Sequence, residues 1–190
     1  MLTFNSILRN ENIDPVGVRL VRHQDTRPGR LTPYNLWRSG DGRFETYQRM
    51  QSRNVFAIGD ILASFVATPV DETLFVGLFR VNGAGTVPPG AIEPSTQAES
   101  DATIFYDTCR DERLSDYIGL LTVSWGLGFR AWVQRAHLKD KQVLEIRLVA
   151  QRGAFPRIYQ LLLGHRPNHG GAATLARSSE VGEGSLLAHL

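Results

Sequence analysis

The sequence predicts an α+β fold, a compact and mostly antiparallel β-barrel with two or three flanking helices. About six or seven segments are rich in β-branched and aromatic residues or alternate in hydrophobicity, as strands do. A few short segments have helical spacing instead, and this mixture favours a small antiparallel barrel. The 190 residues, 42% hydrophobic and 21% charged, are enough for one domain with a proper core.

The first two elements are a helix and a strand. Thr3 is a suitable N-cap for a helix that runs to about Asn10. VRLVRH then alternates as a strand does, and one of its faces carries Val18, Leu20 and Arg22. We therefore expect a helix followed by a half-buried strand.

A second helical block follows the loop QDTRPGRL. Thr32 and Pro33 form an N-cap and first-turn pair for TPYNLW. The helix is interrupted at SGDG and resumes as RFETYQRMQ. This block is rich in arginine and aromatic residues.

Most of the predicted strands come after Ile61. LASFVAT and TLFVGLFRV are joined by PVDE, which predicts strand, turn and strand. GAGTVPPGAIEPSTQAES has the composition of a long loop, and TIFYD and RLSDYI predict a short strand and a helical turn. Three more strands (GLLTVSW, GFRAWVQRA and QVLEIRLVA) and a short helix, FPRIYQLLL, complete a domain of residues 1–163. The Gly-, Ala- and Ser-rich residues 164–190 are expected to form a flexible tail.

Composition indicates a cytoplasmic protein without a membrane partner. No apolar run approaches the roughly 20 residues that cross a bilayer. The first residues do not have the pattern of a signal peptide. Cys109 is the single cysteine, which excludes an intramolecular disulfide framework.

The net charge of +2 hides a segregated pattern. Residues 19–53 carry +5, residues 54–118 carry −7 and residues 119–190 carry +5. Nineteen of the 21 basic residues are arginine. The planar guanidinium suits phosphates and base edges, although a GC-rich genome gives the same bias.

No catalytic, metal or cofactor site is predicted. His165 and His169 have an i, i+4 spacing, but Pro167 lies between them and no zinc-protease motif is complete. The acidic residues between Asp107 and Asp116 match no calcium loop. A strand with Glu145 and Arg147 only faintly resembles the acidic and basic pair of metal-dependent nucleases.

Two stretches favour a binding function. In the first stretch, residues 19–53, arginines are interspersed with aromatic rings. This pattern is typical of a nucleic-acid surface, or of an amphipathic helix whose arginines lie in water.

The second stretch is WGLGFRAWVQRA. A strand here would place Arg130, Trp132 and Gln134 on one face and Phe129, Ala131 and Val133 on the other. The first of these faces offers a stacking ring and bidentate donors, and Trp125 would wall the pocket. Alternatively, both tryptophans fill the end of a barrel.

An ordered series of motifs resembles a known family. VRLVRHQDTR, TPYNLW, FETYQ, ASFVATP, TLFVGLFRV and WGLGFRAWVQRA are similar, in this order, to the N-terminal region of bacterial GIY-YIG nuclease family proteins. The resemblance covers roughly residues 1–160 and implies a PUA-like or EVE-like barrel that recognises DNA ahead of a nuclease domain. The paired GVY and YVG type segments of the nuclease are missing, and Leu62 stands where an aromatic residue is expected.

The leading hypothesis is therefore a DNA-binding module that recognises a modified or flipped base, with no catalytic activity in this chain. Its expected partners are modified DNA and a separate nuclease. The candidate nucleic-acid-binding residues are Arg22, His23, Arg27, Arg30, Trp37, Trp125, Arg130, Trp132 and Gln134. Of these, Arg22, His23, Arg27 and Arg30 are expected to contact phosphates.

Two alternatives stay open. One is a protein or small-molecule interaction domain that recruits its partner through the acidic segment from Glu93 to Asp116. The other is a metal-dependent nuclease that uses Glu145.

Overall fold

A computed structural model describes residues 1–24, 31–87, 103–126 and 132–147. Within these ranges the chain has the predicted α+β fold, built on a mixed but mostly antiparallel sheet that curls strongly. The predicted domain boundary at residue 163 lies outside the described residues.

The helices are short, and their caps follow the sequence. They are α1 (Phe4–Asn10), α2 (Pro33–Ser39) and α3 (Arg43–Arg49). The Thr3 hydroxyl accepts the backbone N–H of Ser6 at 3.3 Å, and the Thr32 hydroxyl accepts that of Asn35 at 3.1 Å. Both predicted N-caps are thus confirmed, because each hydroxyl binds a backbone donor that has no partner within its helix.

The break between the second and third helices is also confirmed. Gly40 ends α2 in the left-handed region with φ 66°, where residues other than glycine are strained. A second left-handed glycine, Gly42 with φ 83°, is the N-cap of α3. The two glycines explain why one helical block divides into two helices.

Eight strands lie in the described residues, together with the 3₁₀ turns Pro15–Gly17 and Glu112–Tyr117. The strands are β1 (Val18–His23), β2 (Met50–Gln51), β3 (Ile61–Ala67), β4 (Thr73–Thr86), β5 (Ile104–Asp111), β6 (Leu121–Val123), β7 (Val133–Arg135) and β8 (Val143–Ile146). The main path through the sheet is β2-β5-β4-β3-β1-β7, and β6 pairs with both β4 and β8. β1 and β3 are parallel, whereas the other pairs are antiparallel.

The prediction of a closed barrel is wrong for the part of the chain that the structure describes. Closure requires the two end strands of a sheet to pair with each other. Here β7 pairs with β1 and β2 pairs with β5, so the sheet stays open between them.

Alternation along the strands separates two faces of the sheet. Val18 and Leu20 point into the larger core, which α1 covers, and we call this side the α1 face. Val21 points to the other side, into a smaller core with Phe56. A third core on that side contains Phe44 and Tyr47 of α3, and we call this side the α3 face. Consecutive residues at the end of β1 therefore enter different environments.

Several element boundaries differ from prediction. β4 continues to Thr86, through residues predicted as loop, because it pairs with β5 beyond a bulge between Val81 and Gly83. β2 was not predicted, and among the described residues 132–136 of the predicted strand GFRAWVQRA only Val133–Arg135 form β7. Among the described helices, none has the length and apolar character needed to span a membrane.

Candidate nucleic-acid interface

A groove opens on the α3 face, at the end of β1. Its volume is about 200 Å³, below the roughly 300 Å³ at which pockets for drug-sized ligands begin. The lining residues come from the end of β1, α3, β2 and the bend before β7, and they are Arg22, His23, Gln24, Tyr47, Met50, Gln51, Ser52 and Trp132. Three of the predicted binding residues, Arg22, His23 and Trp132, thus meet at one groove.

Trp132 provides an accessible ring at this groove. Its side chain is 38% exposed, and the ring meets Phe56 edge-on at a centroid distance of 6.3 Å. Its carbonyl oxygen accepts the backbone N–H of Arg22 at 2.7 Å. The backbone bond and the edge contact hold the indole in place while part of it stays open to a ligand.

His23 provides a buried polar atom beside that ring. The imidazole packs edge-on against Phe44 at 5.4 Å and Tyr47 at 5.3 Å. Burial lowers the pKa of His23 to about 4, so the imidazole is neutral at physiological pH. Its Nε2 is buried without a hydrogen-bond partner. A neutral ring nitrogen of this kind is able to bond one polar group of a ligand.

Glutamine side chains form a polar bridge beneath the groove. The side-chain amide of Gln51 donates to the carbonyl oxygen of Gln48 at 2.8 Å. Gln48 in turn accepts the hydroxyl of Ser64 on β3 at 2.9 Å. Buried bonds of this kind tie the end of α3 to the sheet and fix the lining of the groove.

Arg22 borders the groove but directs its guanidinium to the α1 face. The guanidinium carbon lies 6.0 Å from the centroid of the Trp125 ring. A terminal nitrogen lies 3.6 Å from a carboxylate oxygen of Asp71. The charge of Arg22 is therefore on the opposite side of the sheet from Trp132.

The predicted shared face of Trp132 and Gln134 is not observed. Gln134 is buried opposite Leu20 in the β1–β7 register, which places it on the α1 face. Trp132 lies in a bend before β7, outside the regular alternation, and contacts Phe56 on the α3 face. Of the other residues in this predicted pattern, Phe129, Arg130 and Ala131 lie outside the described residues, as do Arg27 and Arg30.

The two remaining tryptophans pack within the protein. Trp125 is 5% exposed and lies in the core of the α1 face, where its ring centroid is 5.6 Å from that of Phe65. Trp37 is half-buried, and a Cβ placed on Gly119 would come within 3.0 Å of its ring. Neither ring lines the groove.

Several arginines of the arginine-rich residues 19–53 are bound to other groups within the protein. Arg19 pairs with Asp60 at 3.0 Å and Arg43 pairs with Asp41 at 2.6 Å. Arg49 donates to the carbonyl oxygen of Thr108 at 2.8 Å. These contacts leave less positive charge for a ligand than the sequence count indicates.

The acidic residues considered for catalysis or metal binding also have partners within the protein. Glu145 pairs with Arg147 at 3.1 Å. A side-chain hydrogen bond from Arg113 is the main cause that lowers the pKa of Asp111, which also lies near Arg80. No group of three or more metal-ligating side chains occurs within the described ranges, and His165 and His169 lie outside them.

Several groove residues were missed by the sequence prediction. Met50, Gln51 and Ser52 directly follow α3, and the pattern predicted that the helix continues through Gln51. No periodic signal marks them, because β2 is only 2 residues long. Comparisons of the chain with family models, curated proteins and solved structures gave no match.

Proposed function

We propose that this chain is a DNA-binding module that accepts a single extruded base, modified or destabilised in its pairing, in the groove beside Trp132. The observation that carries the proposal is the meeting of an exposed indole with a buried, unpartnered imidazole nitrogen. A stacking surface and a directed hydrogen bond are the two contacts by which proteins hold a flipped base.

The size of the groove supports a ligand of one ring system. At about 200 Å³ it is smaller than the pockets that hold drug-sized ligands. The exposed part of Trp132 offers a flat surface on which a base of any sequence is able to stack.

The neutral state of His23 changes the role proposed for it. A cationic histidine would contact phosphates, but burial keeps this imidazole uncharged above about pH 4. We assign it instead to a hydrogen bond with the edge of the base. The phosphate contacts predicted from the sequence are then left to Arg22, whose guanidinium lies on the α1 face, and to Arg27 and Arg30, which lie outside the described residues.

The resemblance to GIY-YIG nuclease family proteins gives the proposal a biological setting. In it, the module recognises the base and a separate nuclease cuts the DNA. The open sheet would serve as the frame that holds the groove at one end.

The test is a binding series measured by fluorescence anisotropy. Three labelled duplexes of one sequence carry cytosine, 5-methylcytosine or a single mismatch at the same position. We expect the mismatched duplex to bind at least about tenfold more tightly than the cytosine duplex, since extrusion costs least for a destabilised base. Tighter binding of the methylated duplex would instead require the groove to contact the 5-methyl group, because 5-methylation does not weaken the base pair. Affinity should fall as salt rises. The logarithm of the association constant, plotted against the logarithm of the salt concentration, should have a slope of about −0.9 per phosphate neutralised.

Two variants assign the binding to the groove. Trp132→Ala should weaken binding about tenfold, in line with a stacking contribution of about 1–3 kcal/mol per base. Leu144→Ala is the matched control, because Leu144 is also an exposed apolar residue but lies on β8 outside the groove. Equal affinity for all three duplexes, or equal affinity of the two variants, would contradict the proposal.

A further inference from the structure

Two cations lie against one indole on the α1 face. The Lys141 ammonium nitrogen is 4.4 Å from the centroid of the Trp125 ring, and the Arg22 guanidinium carbon is 6.0 Å from it. The Arg22 side chain is 14% exposed and Lys141 is 6% exposed. We call Arg22, Trp125 and Lys141 the cationic cluster.

The charge of the cationic cluster is poorly neutralised. Within the part of the chain that the structure describes, no carboxylate lies within ion-pair distance of Lys141. Asp71 approaches Arg22 at 3.6 Å, too long for a hydrogen bond, and its side chain is almost fully exposed. The Asp140 carboxylate accepts the backbone N–H groups of Asn5 and Lys141 instead. Because buried charges are normally paired, an ammonium without a carboxylate and a guanidinium with one long, exposed ion pair call for an anion.

Two buried donors in the cationic cluster also lack partners. Arg22 Nε and Trp125 Nε1 have no hydrogen-bond partner in the structure and are closed to solvent. Lys141 donates to the carbonyl oxygen of Trp125 at 3.1 Å and retains further N–H groups. All three side chains of the cationic cluster therefore carry N–H groups without a hydrogen-bond partner in the described part of the structure.

The electrostatics of Lys141 agree with this arrangement. Burial lowers its pKa, and the nearby charges of Lys139 and Arg22 lower it further, whereas Asp140 raises it. A bound anion would favour the charged ammonium and oppose these effects.

We propose that the cationic cluster binds a phosphate group. Phosphate carries several acceptor oxygens in a tetrahedral arrangement and so is able to bond donors from three separate side chains. The site lies on the opposite face of the sheet from Trp132, so the proposal does not depend on base recognition in the groove. The phosphate comes either from a nucleic-acid backbone or from a free phosphate ion.

The experiment compares thermal unfolding in inorganic phosphate and in chloride at the same pH and ionic strength. Phosphate should raise Tm by about 5 °C or more at a hundred times its dissociation constant. Lys141→Met and Trp125→Phe should reduce this phosphate-specific rise to less than half, because each removes a donor. Arg135→Gln is the matched control, since it removes one exposed positive charge outside the cationic cluster and should retain the full rise.

Calorimetric titration with inorganic phosphate gives a second measurement for any variant of low stability. An abasic oligonucleotide then separates the two sources. If it binds and phosphate displaces it, the site takes a backbone phosphodiester, whereas binding of inorganic phosphate alone assigns a free ion. Equal Tm in both salts, or an undiminished rise in Lys141→Met, would overturn the proposal. Trp132→Ala should keep the rise, which separates this outcome from that of the base-binding test.

Discussion

Trp125 and Trp132 belong to one short sequence motif but lie in opposite environments. Trp125 is 5% exposed in the core of the α1 face, whereas Trp132 is 38% exposed at the groove on the α3 face. The first ring packs against Phe65, and the second meets Phe56 and leaves part of its surface open. Residue type alone therefore does not distinguish a core ring from an exposed one.

Arg22 and His23 extend the comparison to the polar groups. They are neighbours on β1, and alternation directs the guanidinium to the α1 face and the imidazole to the α3 face. The α1 face thus combines a buried indole with cations, whereas the α3 face combines an exposed indole with a neutral imidazole. Four substitutions test this contrast.

The largest effect is expected at Trp125. Trp125→Ala should lower the free energy of unfolding by about 3–5 kcal/mol, because it opens a cavity in the larger core. Denaturant unfolding measures the change. A loss below about 1 kcal/mol would show that the α1 face does not depend on this ring.

The next effect concerns the pH dependence of stability. The pKa of His23 is lowered from 6.5 to about 4, so between these values the unfolded chain binds a proton that the folded chain does not. The free energy of unfolding should therefore fall by roughly 3 kcal/mol as pH drops from about 6.5 to 4. His23→Phe should flatten this part of the profile.

The pH experiment has an internal control. Trp132→Ala leaves the imidazole in place and should keep the pH dependence of the parent. If His23→Phe and the parent lose stability equally over the same range, the imidazole is not the group that titrates.

A smaller effect is expected at Trp132. Trp132→Ala should cost about 1–2 kcal/mol, because the partly exposed ring loses its edge contact with Phe56 but opens no enclosed cavity. Its cost in denaturant unfolding should be less than half that of Trp125→Ala. Equal costs would remove the distinction between the two rings.

The smallest effect is expected at Lys141. Lys141→Met loses the bond to the carbonyl oxygen of Trp125 but removes a buried charge, so stability at pH 7 should stay within about 1 kcal/mol of the parent. Burial, Lys139 and Arg22 lower the pKa of Lys141. The parent should therefore gain stability as pH rises toward about 10.5, where the unfolded chain still binds the proton. A gain of the same size in Lys141→Met would contradict this assignment.

Local signals in the sequence predicted much of the fold. The N-caps Thr3 and Thr32, the glycine break before α3 and the alternation in β1 each depend on residues close in the chain. Closure of the sheet does not depend on neighbouring residues. It requires two strands that are distant in the sequence to pair with each other. The bulge after Val81 likewise results from pairing with β5 and has no local signal.

The groove was only partly predictable for the same reason. Trp132 and His23 were candidates because of their residue types, but their meeting depends on the β1–β7 register and on the end of α3. Alternation also failed at Trp132, since the bend before β7 releases it from the strand. Gln51 carried no sequence signal, because a strand of 2 residues has no measurable period.

The central claim is that the exposed ring of Trp132 stacks on an extruded base. The most direct measurement is the emission of Trp132, taken as the difference between the parent, with its 3 tryptophans, and Trp132→Phe. Titration with the mismatched duplex should quench this emission saturably, with an apparent affinity that falls as salt rises. Binding of the duplex without any change in Trp132 emission would contradict the claim.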